Sequence, residues 1–444
     1  MTLEASRIAP SAADYLQTAE QLSTQVPGVD GALPREIVRA AVIGAGTMGS
    51  SIAISLANAG ITVDLLERDA DAAKAGQQRV SGLYHSLVKR GRLSEADALR
   101  NTSRIRTGHD WSVIADVDLV IEAAFEDMAV KKDIFRRLDG LAKPGAVLAT
   151  NTSYLDIDEI AAATSRASDV VGLHFFSPAH IMRLLEVVRG AYTAPDILAT
   201  ALTLGRRIRK LPIYARNGDG FIGNRIFAVY RRHAEYLLED GASLDEIDRA
   251  LVAFGFAMGP FAVADMSGLD VAWAMRKRRA PTRDPNERYA AIADRLCEAG
   301  RLGRKTGGGW YDYEDGKAKP SPVVETIVAD ERVRRGITPK QFVVEDIQRR
   351  ILAVMANEGA KVLSEGISLR PSDIDLVFTN GYGFPRAKGG PMFVADQLGL
   401  TTVLAEVREA GKAAGAGSEP ADLLVQLEAQ GSSFASWQED RAGA

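Results

Sequence analysis

Three polar positions stand out by type and spacing: Ser153 after Asn151-Thr152, His174 in His174-Phe175-Phe176-Ser177-Pro178, and Glu186 inside the apolar run Leu184-Leu185-Glu186-Val187-Val188. A histidine at a strand end, with a carboxylate on the neighbouring strand, can act as a general base held in place by its partner. Taken alone, His174 reads equally well as a satisfied polar residue. Glu186 tips the balance, because a carboxylate in an apolar strand must find a partner to offset its burial. Ser153 could instead cap the helix that follows it, and Asn224 could cap or cross-link helices. His85, His109, His180 and His233 have no comparable context and read as surface or structural residues.

The elements that must position these residues follow from periodicity. Residues 38–43 form an apolar run that stops at Gly44, after which Met48, Ile52, Leu56 and Ala59 recur at helical spacing up to Gly60. Residues 61–66 read as the next strand, and 118–121, 146–149, 170–173 and 184–188 as further strands, separated by helical patterns such as 130–141. Strands alternating with helices predict a mainly parallel sheet covered on both faces.

Between the first strand and helix lies Gly44-Ala45-Gly46-Thr47-Met48-Gly49, a G-x-G-x-x-G. The first glycine permits a tight turn, the second lets a pyrophosphate approach the backbone, and the third lets helix and strand pack closely. The helix start then offers oriented N–H donors to phosphate. Glu67 closes the second strand, where a carboxylate accepts from the adenosine ribose and repels a 2′-phosphate, so NAD is expected over NADP. Arg68 next door weakens that preference. A plain glycine-rich turn is the bland alternative, disfavoured by strand, helix and acid all being in place.

Beyond about Leu211 the strand patterns cease and long helical ones take over. The chain also repeats itself. Asn224-Arg225-Ile226 and Leu237-Leu238-Glu239-Asp240-Gly241 recur as Arg349-Arg350-Ile351 and Val362-Leu363-Ser364-Glu365-Gly366, while Asp248, Gly255-Phe256 and Gly259-Pro260 match Asp375, Gly383-Phe384 and Gly390-Pro391. Two copies are too few for a solenoid, so two similar helical units packed face to face are expected. The expected fold is an α/β Rossmann-type domain followed by an all-α region of two duplicated helical domains. The divisions fall at 1–37 (an arm or linker remnant), 38–215, 216–330 and 331–444.

The chain has 444 residues with 46% hydrophobics, enough for two or three domains each with its own core. A net charge of -4, from 54 basic and 58 acidic side chains, supplies no global field for nucleic acid or an anionic membrane, and neither is an expected partner. Cys297 is the only cysteine, which excludes an internal disulfide framework and reads as a small buried residue. No apolar run is long enough for a membrane span, no signal pattern opens the chain, and Arg441-Ala442-Gly443-Ala444 is not a peroxisomal tripeptide. A cytoplasmic location is expected, and no metal is called for.

With these residues in view, the chain resembles the L-3-hydroxyacyl-CoA dehydrogenase family, most closely the dehydrogenase half of multifunctional fatty-acid oxidation enzymes. The resemblance runs from about Val38 to about Trp437 through GAGTMG, EAAFEDMAVKK, NTSYLDIDEI, GLHFFSPAHIMRLLEVV, DGFIGNR, GFAMGPF, GRKTGGGWYDY and GYGFPRAKGGPMF. It implies NAD-dependent oxidation of an acyl-CoA substrate, with His174 as base, Glu186 as its partner, and Ser153 and Asn224 binding substrate. It also places Glu126 and Lys131 beside the ribose and nicotinamide, with Asn151 and Ser153 among the cofactor contacts. The chemistry of the pair agrees. A secondary alcohol holds its proton far above neutral pH, so hydride departure needs a base, and imidazole, with a reference pKa near 6.5, can take that proton and return it.

Departures from the family pattern carry their own expectations. The multifunctional enzymes place a hydratase/isomerase domain ahead of this region, and here only about 37 residues precede the first strand, so hydratase activity is expected to be absent. Tyr154 stands where smaller members have a second serine, which would reshape the acyl entrance. Arg349 occupies the second copy's counterpart of Asn224, so that copy is expected to be structural. In two-subunit relatives the helical domains pair across a dimer, and an internal duplicate would leave this chain monomeric, with a dimer as the alternative. The basic run Arg276-Lys277-Arg278-Arg279 reads as a solvated helix end. Contact with CoA phosphates is its alternative, one equally open to Lys89-Arg90 or to residues 205–210. The rivals to the dehydrogenase reading are an enzyme for a free 3-hydroxy acid and an idle NAD-binding protein, and the joint presence of Ser153, His174, Glu186 and Asn224 argues against the second.

Overall fold

The structure, a computed structural model, describes residues 11–442. These divide into two compact units, one of residues 14–224 with 366–369, the other of residues 11–13, 225–365 and 370–442. Residues 1–10 of the expected arm, and the last two residues of the chain, lie outside the described residues. From Asp14 the expected arm belongs to the sheet-bearing unit, where Leu16, Ala19, Val26 and Ile37 are buried and Arg35 pairs with Asp169 and Asp196.

The first unit holds an eight-stranded sheet: β1 (Arg39–Ile43), β2 (Thr62–Leu66), β3 (Ile105–Gly108), β4 (Leu119–Glu122), β5 (Val147–Thr150), β6 (Val170–Phe175), β7 (Leu184–Arg189) and β8 (Leu211–Arg216). Their order is β3-β2-β1-β4-β5-β6-β7-β8. Every neighbouring pair from β3 to β6 is parallel, β7 runs antiparallel to β6, and β8 is parallel to β7. The central strands are buried and mostly apolar because both faces are covered, as a parallel sheet requires, with Glu122, His174 and Glu186 among the exceptions. The helices of this unit are α1 (Ala12–Leu22), α2 (Thr47–Asn58), α3 (Ala70–Lys89), α4 (Glu95–Thr102), α5 (Met128–Leu141), α6 (Ile157–Ala161) and α7 (Pro195–Arg207).

The expectation that strands cease near Leu211 is corrected by β8, and by a small hairpin of β9 (Asp312–Glu314) and β10 (Lys317–Lys319). β3 was also absent from the sequence reading. Both missed sheet strands are edges: β8 tolerates Pro212 because an edge strand has one unpaired side, and β3 is half-exposed with Arg106 pointing to Asp64.

The helical region opens with α8 (Gly223–Asp240), α9 (Leu244–Phe254), α10 (Pro260–Ser267), α11 (Leu269–Arg279) and α12 (Ile292–Glu298), followed by α13 (Pro322–Arg335). The set then recurs as α14 (Val344–Ser364), α15 (Pro371–Gly381), α16 (Pro391–Leu398), α17 (Leu400–Ala414) and α18 (Asp422–Ala429), with α19 (Phe434–Ala442) closing the chain. The two copies share their hydrogen bonds as well as their order. Asp248 of α9 accepts the Phe261 and Ala262 N–H groups that open α10, at 3.1 Å each; Asp375 of α15 accepts those of Met392 and Phe393, at 2.8 and 3.0 Å, at the start of α16. Asp265 accepts from Trp310 and Tyr311, and Asp396 from Phe434 and Ala435. In each copy a buried carboxylate satisfies N–H groups that a helix or turn would otherwise leave orphaned.

Counterparts also meet each other. Phe256 and Phe384, equivalent in the repeat, pack edge to face with centroids 5.2 Å apart, and Val229 shares a buried cluster with its counterpart Val354. A residue touching its own equivalent is what a two-fold axis produces, so within this unit the copies pack as a pseudo-dimer. Gln348 donates to the Ala250 carbonyl, and Arg225 pairs with Glu358 and Glu365 across the same seam.

Candidate active site

The C-terminal ends of β1, β2, β4, β5 and β6 bring the candidate residues to one edge of the sheet, where open α/β sheets bind ligands. β1 ends in the glycine turn. Gly44 has φ +96°, and a Cβ on Gly49 would lie 1.7 Å from the Gly44 carbonyl oxygen, so neither position admits a side chain. No side chain caps α2, whose N-cap is Gly46. Its first N–H groups, at Thr47, Met48 and Gly49, therefore suit a diphosphate, and this donor set fits a dinucleotide.

Glu67 sits just past β2 with Oε1 accepting from the Ala45 N–H at 2.7 Å, so it braces the glycine turn as well as closing the strand. The Ala45 carbonyl accepts from Ser50 Oγ and from the Arg79 guanidinium of α3. Arg68, mostly exposed, pairs with Asp69, which caps α3.

At the end of β4, Glu126 and Lys131 belong to one cluster of charged side chains. Lys131 is 1% exposed, with its ammonium 2.8 Å from both oxygens of Glu122 and 3.3 Å from Glu126. Glu122, fully buried, also accepts from the Ala124 N–H and from Thr150 Oγ1, both at 2.7 Å. Lys131 is thus buried in an ion pair beneath the site. Glu126 in turn accepts from Thr152 Oγ1 at 2.6 Å and from the Ser153 N–H at 2.8 Å, which shapes the loop after β5. Ser153 does not cap the following helix; Asp156 does, accepting from Asp158 and Glu159. Asn151 accepts the Phe175 N–H at 2.9 Å and ties that loop to β6.

His174 and Glu186 lie directly opposite each other in the antiparallel β6–β7 pair, with Nδ1 and Oε2 2.6 Å apart. The imidazole is 4% exposed and the carboxylate 0%. A carboxylate at Nδ1 places the proton there and leaves Nε2 with its lone pair for a substrate hydroxyl. The other carboxylate oxygen accepts the Ile222 and Gly223 N–H groups at 3.2 and 3.0 Å, where α8 begins. Asn224 follows, and its Nδ2 donates to the Ser153 carbonyl at 3.3 Å. Ser153, His174, Glu186 and Asn224 therefore form one connected set.

The sequence reading missed Glu122, Thr152 and Phe221. The argument applied to Glu186, a carboxylate ending an apolar run, also applies to Leu119-Val120-Ile121-Glu122, with Lys131 one helix start away. Phe221, whose ring lies 5.6 Å from that of His174, left no comparable signal. The run at Arg276–Arg279 is the last turn of α11; Arg276 pairs with Asp294, and Lys277 lies over Trp273. No described helix is long and apolar enough to cross a membrane.

A Rossmann-type sheet with a glycine turn at β1 and a His–Glu pair at β6–β7 defines a nicotinamide-dependent dehydrogenase architecture. Residues 39–218 match the model described as 3-hydroxyacyl-CoA dehydrogenase, NAD binding domain, and residues 220–313 and 347–433 match that of the C-terminal domain of the same enzyme. The chain belongs to the 3-hydroxyacyl-CoA dehydrogenase family, and its sheet-bearing region is the family's NAD-binding domain. It is 43% identical over 415 residues to the peroxisomal bifunctional enzyme of Danio rerio, a match covering 90% of this chain and 57% of that protein. The chain thus spans a little over half the length of that relative. Among solved structures it resembles 3-hydroxybutyryl-CoA dehydrogenase of Escherichia coli, with a TM-score of 0.77 and 28% identity over 91% of this chain and 100% of that one. It also resembles (S)-3-hydroxybutyryl-CoA dehydrogenase of Ralstonia eutropha, with a TM-score of 0.59 and 36% identity over 63% of this chain and all of the other.

Proposed function

We propose that this chain oxidises (S)-3-hydroxyacyl-CoA to 3-ketoacyl-CoA, reversibly and with NAD, as the dehydrogenation step of a fatty-acid β-oxidation sequence. The observation that carries the reading is the buried His174–Glu186 pair at the same sheet edge as the glycine turn. Nε2 of His174 accepts the proton of the substrate hydroxyl as its carbon loses hydride. Glu186 then faces the imidazolium so formed and stabilises it. Ser153, whose hydroxyl makes no hydrogen bond to other described residues, and Asn224 orient the substrate oxygen. Nicotinamide supplies the hydride acceptor when bound. Gly44, Gly46, Thr47, Met48 and Gly49 would hold the diphosphate, Glu67 the adenosine ribose, and Glu126, Lys131, Asn151 and Ser153 the nicotinamide end of the cofactor.

The finer parts of the reading rest on the same ground. NAD is preferred over NADP because of Glu67. Most residues between 39 and 433 are matched by the two dehydrogenase models, which supports dehydrogenation by this chain; that it does not also hydrate is a separate part of the proposal. The divisions at 215 and 330 separate the cofactor domain from two helical copies, of which the second is structural. The pseudo-two-fold contacts of Phe256 with Phe384 support a monomer, and light scattering should report a mass near 47.7 kDa. The cytoplasmic location expected from the sequence stands beside relatives named as peroxisomal, and microscopy of the tagged protein decides between them.

NADH oxidation by the purified chain tests the reading. Acetoacetyl-CoA should be turned over at least a hundredfold more efficiently than free acetoacetate, and crotonyl-CoA should not be hydrated. Equal use of the free acid would replace the CoA-ester reading with that of a hydroxy-acid dehydrogenase.

A further inference from the structure

Phe221 is fully buried and holds φ at +49°, the left-handed region that bulky side chains rarely enter. It follows Gly220, itself at φ +74°, and its N–H closes a turn onto the Gly218 carbonyl at 3.0 Å. The next two N–H groups, of Ile222 and Gly223, are those that Glu186 accepts. The turn therefore delivers two things to the catalytic pair: a pair of N–H donors to the carboxylate and an aromatic ring to the imidazole. The Phe221 ring lies 5.6 Å from the His174 ring at 56°, while Phe176 lies 4.5 Å from it at 53°.

Glycine would adopt this backbone freely, so a phenylalanine here keeps strain that only its side chain can justify. Strain of this kind persists where the surroundings over-determine it, and here what surrounds the ring includes the candidate base.

We propose that Phe221 is a positioning residue for the dehydrogenase reaction: with Phe176 it holds the imidazole of His174 in the plane that points Nε2 at the substrate hydroxyl, and it keeps water from the Nδ1–Glu186 bond. The proposal rests on the reading of the function given above. Its physical basis is that the Cβ–Cγ bond and a hydrogen bond at Nδ1 together hold the ring only to within a coupled libration of χ1 and χ2, which swings Nε2, the far atom, the most. Tilted aromatic contacts remove that freedom. A base displaced by a fraction of an ångström loses its proton-transfer geometry while substrate and cofactor still bind.

The test compares wild type with Phe221→Leu, Phe221→Gly and Phe221→Tyr in NADH oxidation with acetoacetyl-CoA, at a temperature where circular dichroism shows each folded. Leu keeps apolar bulk without the ring, Gly removes both the strain and the ring, and Tyr keeps the ring. We expect kcat to fall at least tenfold in the Leu and Gly variants, with KM for acetoacetyl-CoA and Kd for NADH within about threefold of wild type, and Tyr to restore most of kcat. A role confined to structure would instead move KM and kcat together in the folded variants, and would overturn the proposal. So would a Leu variant with wild-type kcat. If the wild-type chain itself turns over no 3-ketoacyl substrate, the functional reading falls, and Phe221 falls with it; a fully active wild type beside an unaffected Leu variant removes Phe221 alone.

Discussion

Glu186 divides its carboxylate between His174 and the helix that carries Asn224: Oε2 lies 2.6 Å from His174 Nδ1, and Oε1 accepts the N–H groups of Ile222 and Gly223. One side chain thus fixes both the tautomer of His174 and the start of the helix that carries Asn224, the residues proposed as base and substrate-binding amide. Glu186→Gln retains the size and some of the hydrogen bonds but loses the charge facing the imidazolium. It should lower kcat at least a hundredfold, the usual scale for a disabled acid–base pair, and also raise KM for acetoacetyl-CoA through Asn224. Steady-state kinetics showing a change in neither parameter would remove this coupling.

Glu67 braces the glycine turn and is the residue proposed to hold the adenosine ribose. Glu67→Ala removes the repulsion of a 2′-phosphate and the 2.7 Å bond to the Ala45 N–H. The preference for NADH over NADPH should fall by about tenfold, one like-charge contact near the surface, while NADH itself binds a few-fold more weakly. Fluorescence titration with both cofactors checks this, and a wild-type enzyme that already prefers NADPH would contradict it.

Lys131 and Glu122 form a buried pair whose members cannot be removed singly without cost. Lys131→Met leaves a buried carboxylate without its counter-charge and should lower stability by about 3–5 kcal/mol. Adding Glu122→Gln removes that charge yet keeps an acceptor for the Ala124 N–H, so the double variant should be more stable than the single one. Urea unfolding decides it, and a double variant weaker than Lys131→Met would show that the charge is not the cause.

Lys210 offers a pH test. Its ammonium holds the Ala179 and Met182 carbonyls in the loop joining β6 to β7, and burial lowers it to about 8. An unfolded lysine titrates near 10.4, so between about 8 and 10.4 the unfolded chain binds the extra proton. Burying the charged form is unfavourable below that window, and the contribution of this group to stability rises as pH climbs through it. The stability of wild type minus that of Lys210→Met should therefore increase from pH 7.5 to pH 10 in urea titrations. A constant difference would contradict the assignment.

How much of this was legible in the sequence follows from local chemistry. The glycine turn and the pairing of His174 with Glu186 could be read because each breaks its surroundings: glycines between strand and helix, and charge inside apolar strands. The repeat was legible because its buried aspartates and Phe256/Phe384 recur in order. Edge strands β3 and β8 were hidden by Arg106 and Pro212, residues that only an edge tolerates. Burial of Lys131 was hidden because lysine on a helix ordinarily faces water. The left-handed backbone of Phe221 has no signature in residue type; only the turn-forming Asn217-Gly218-Asp219-Gly220 ahead of it marks the place.

The most direct test of the central claim, that His174 is the base of a 3-hydroxyacyl-CoA dehydrogenase, is single-turnover NADH oxidation with acetoacetyl-CoA by wild type and His174→Ala, beside the NADH Kd of each. The account predicts rapid turnover by the wild type, loss of at least a hundredfold in rate for the variant, and NADH affinity near normal in both. Wild-type turnover by His174→Ala would contradict it.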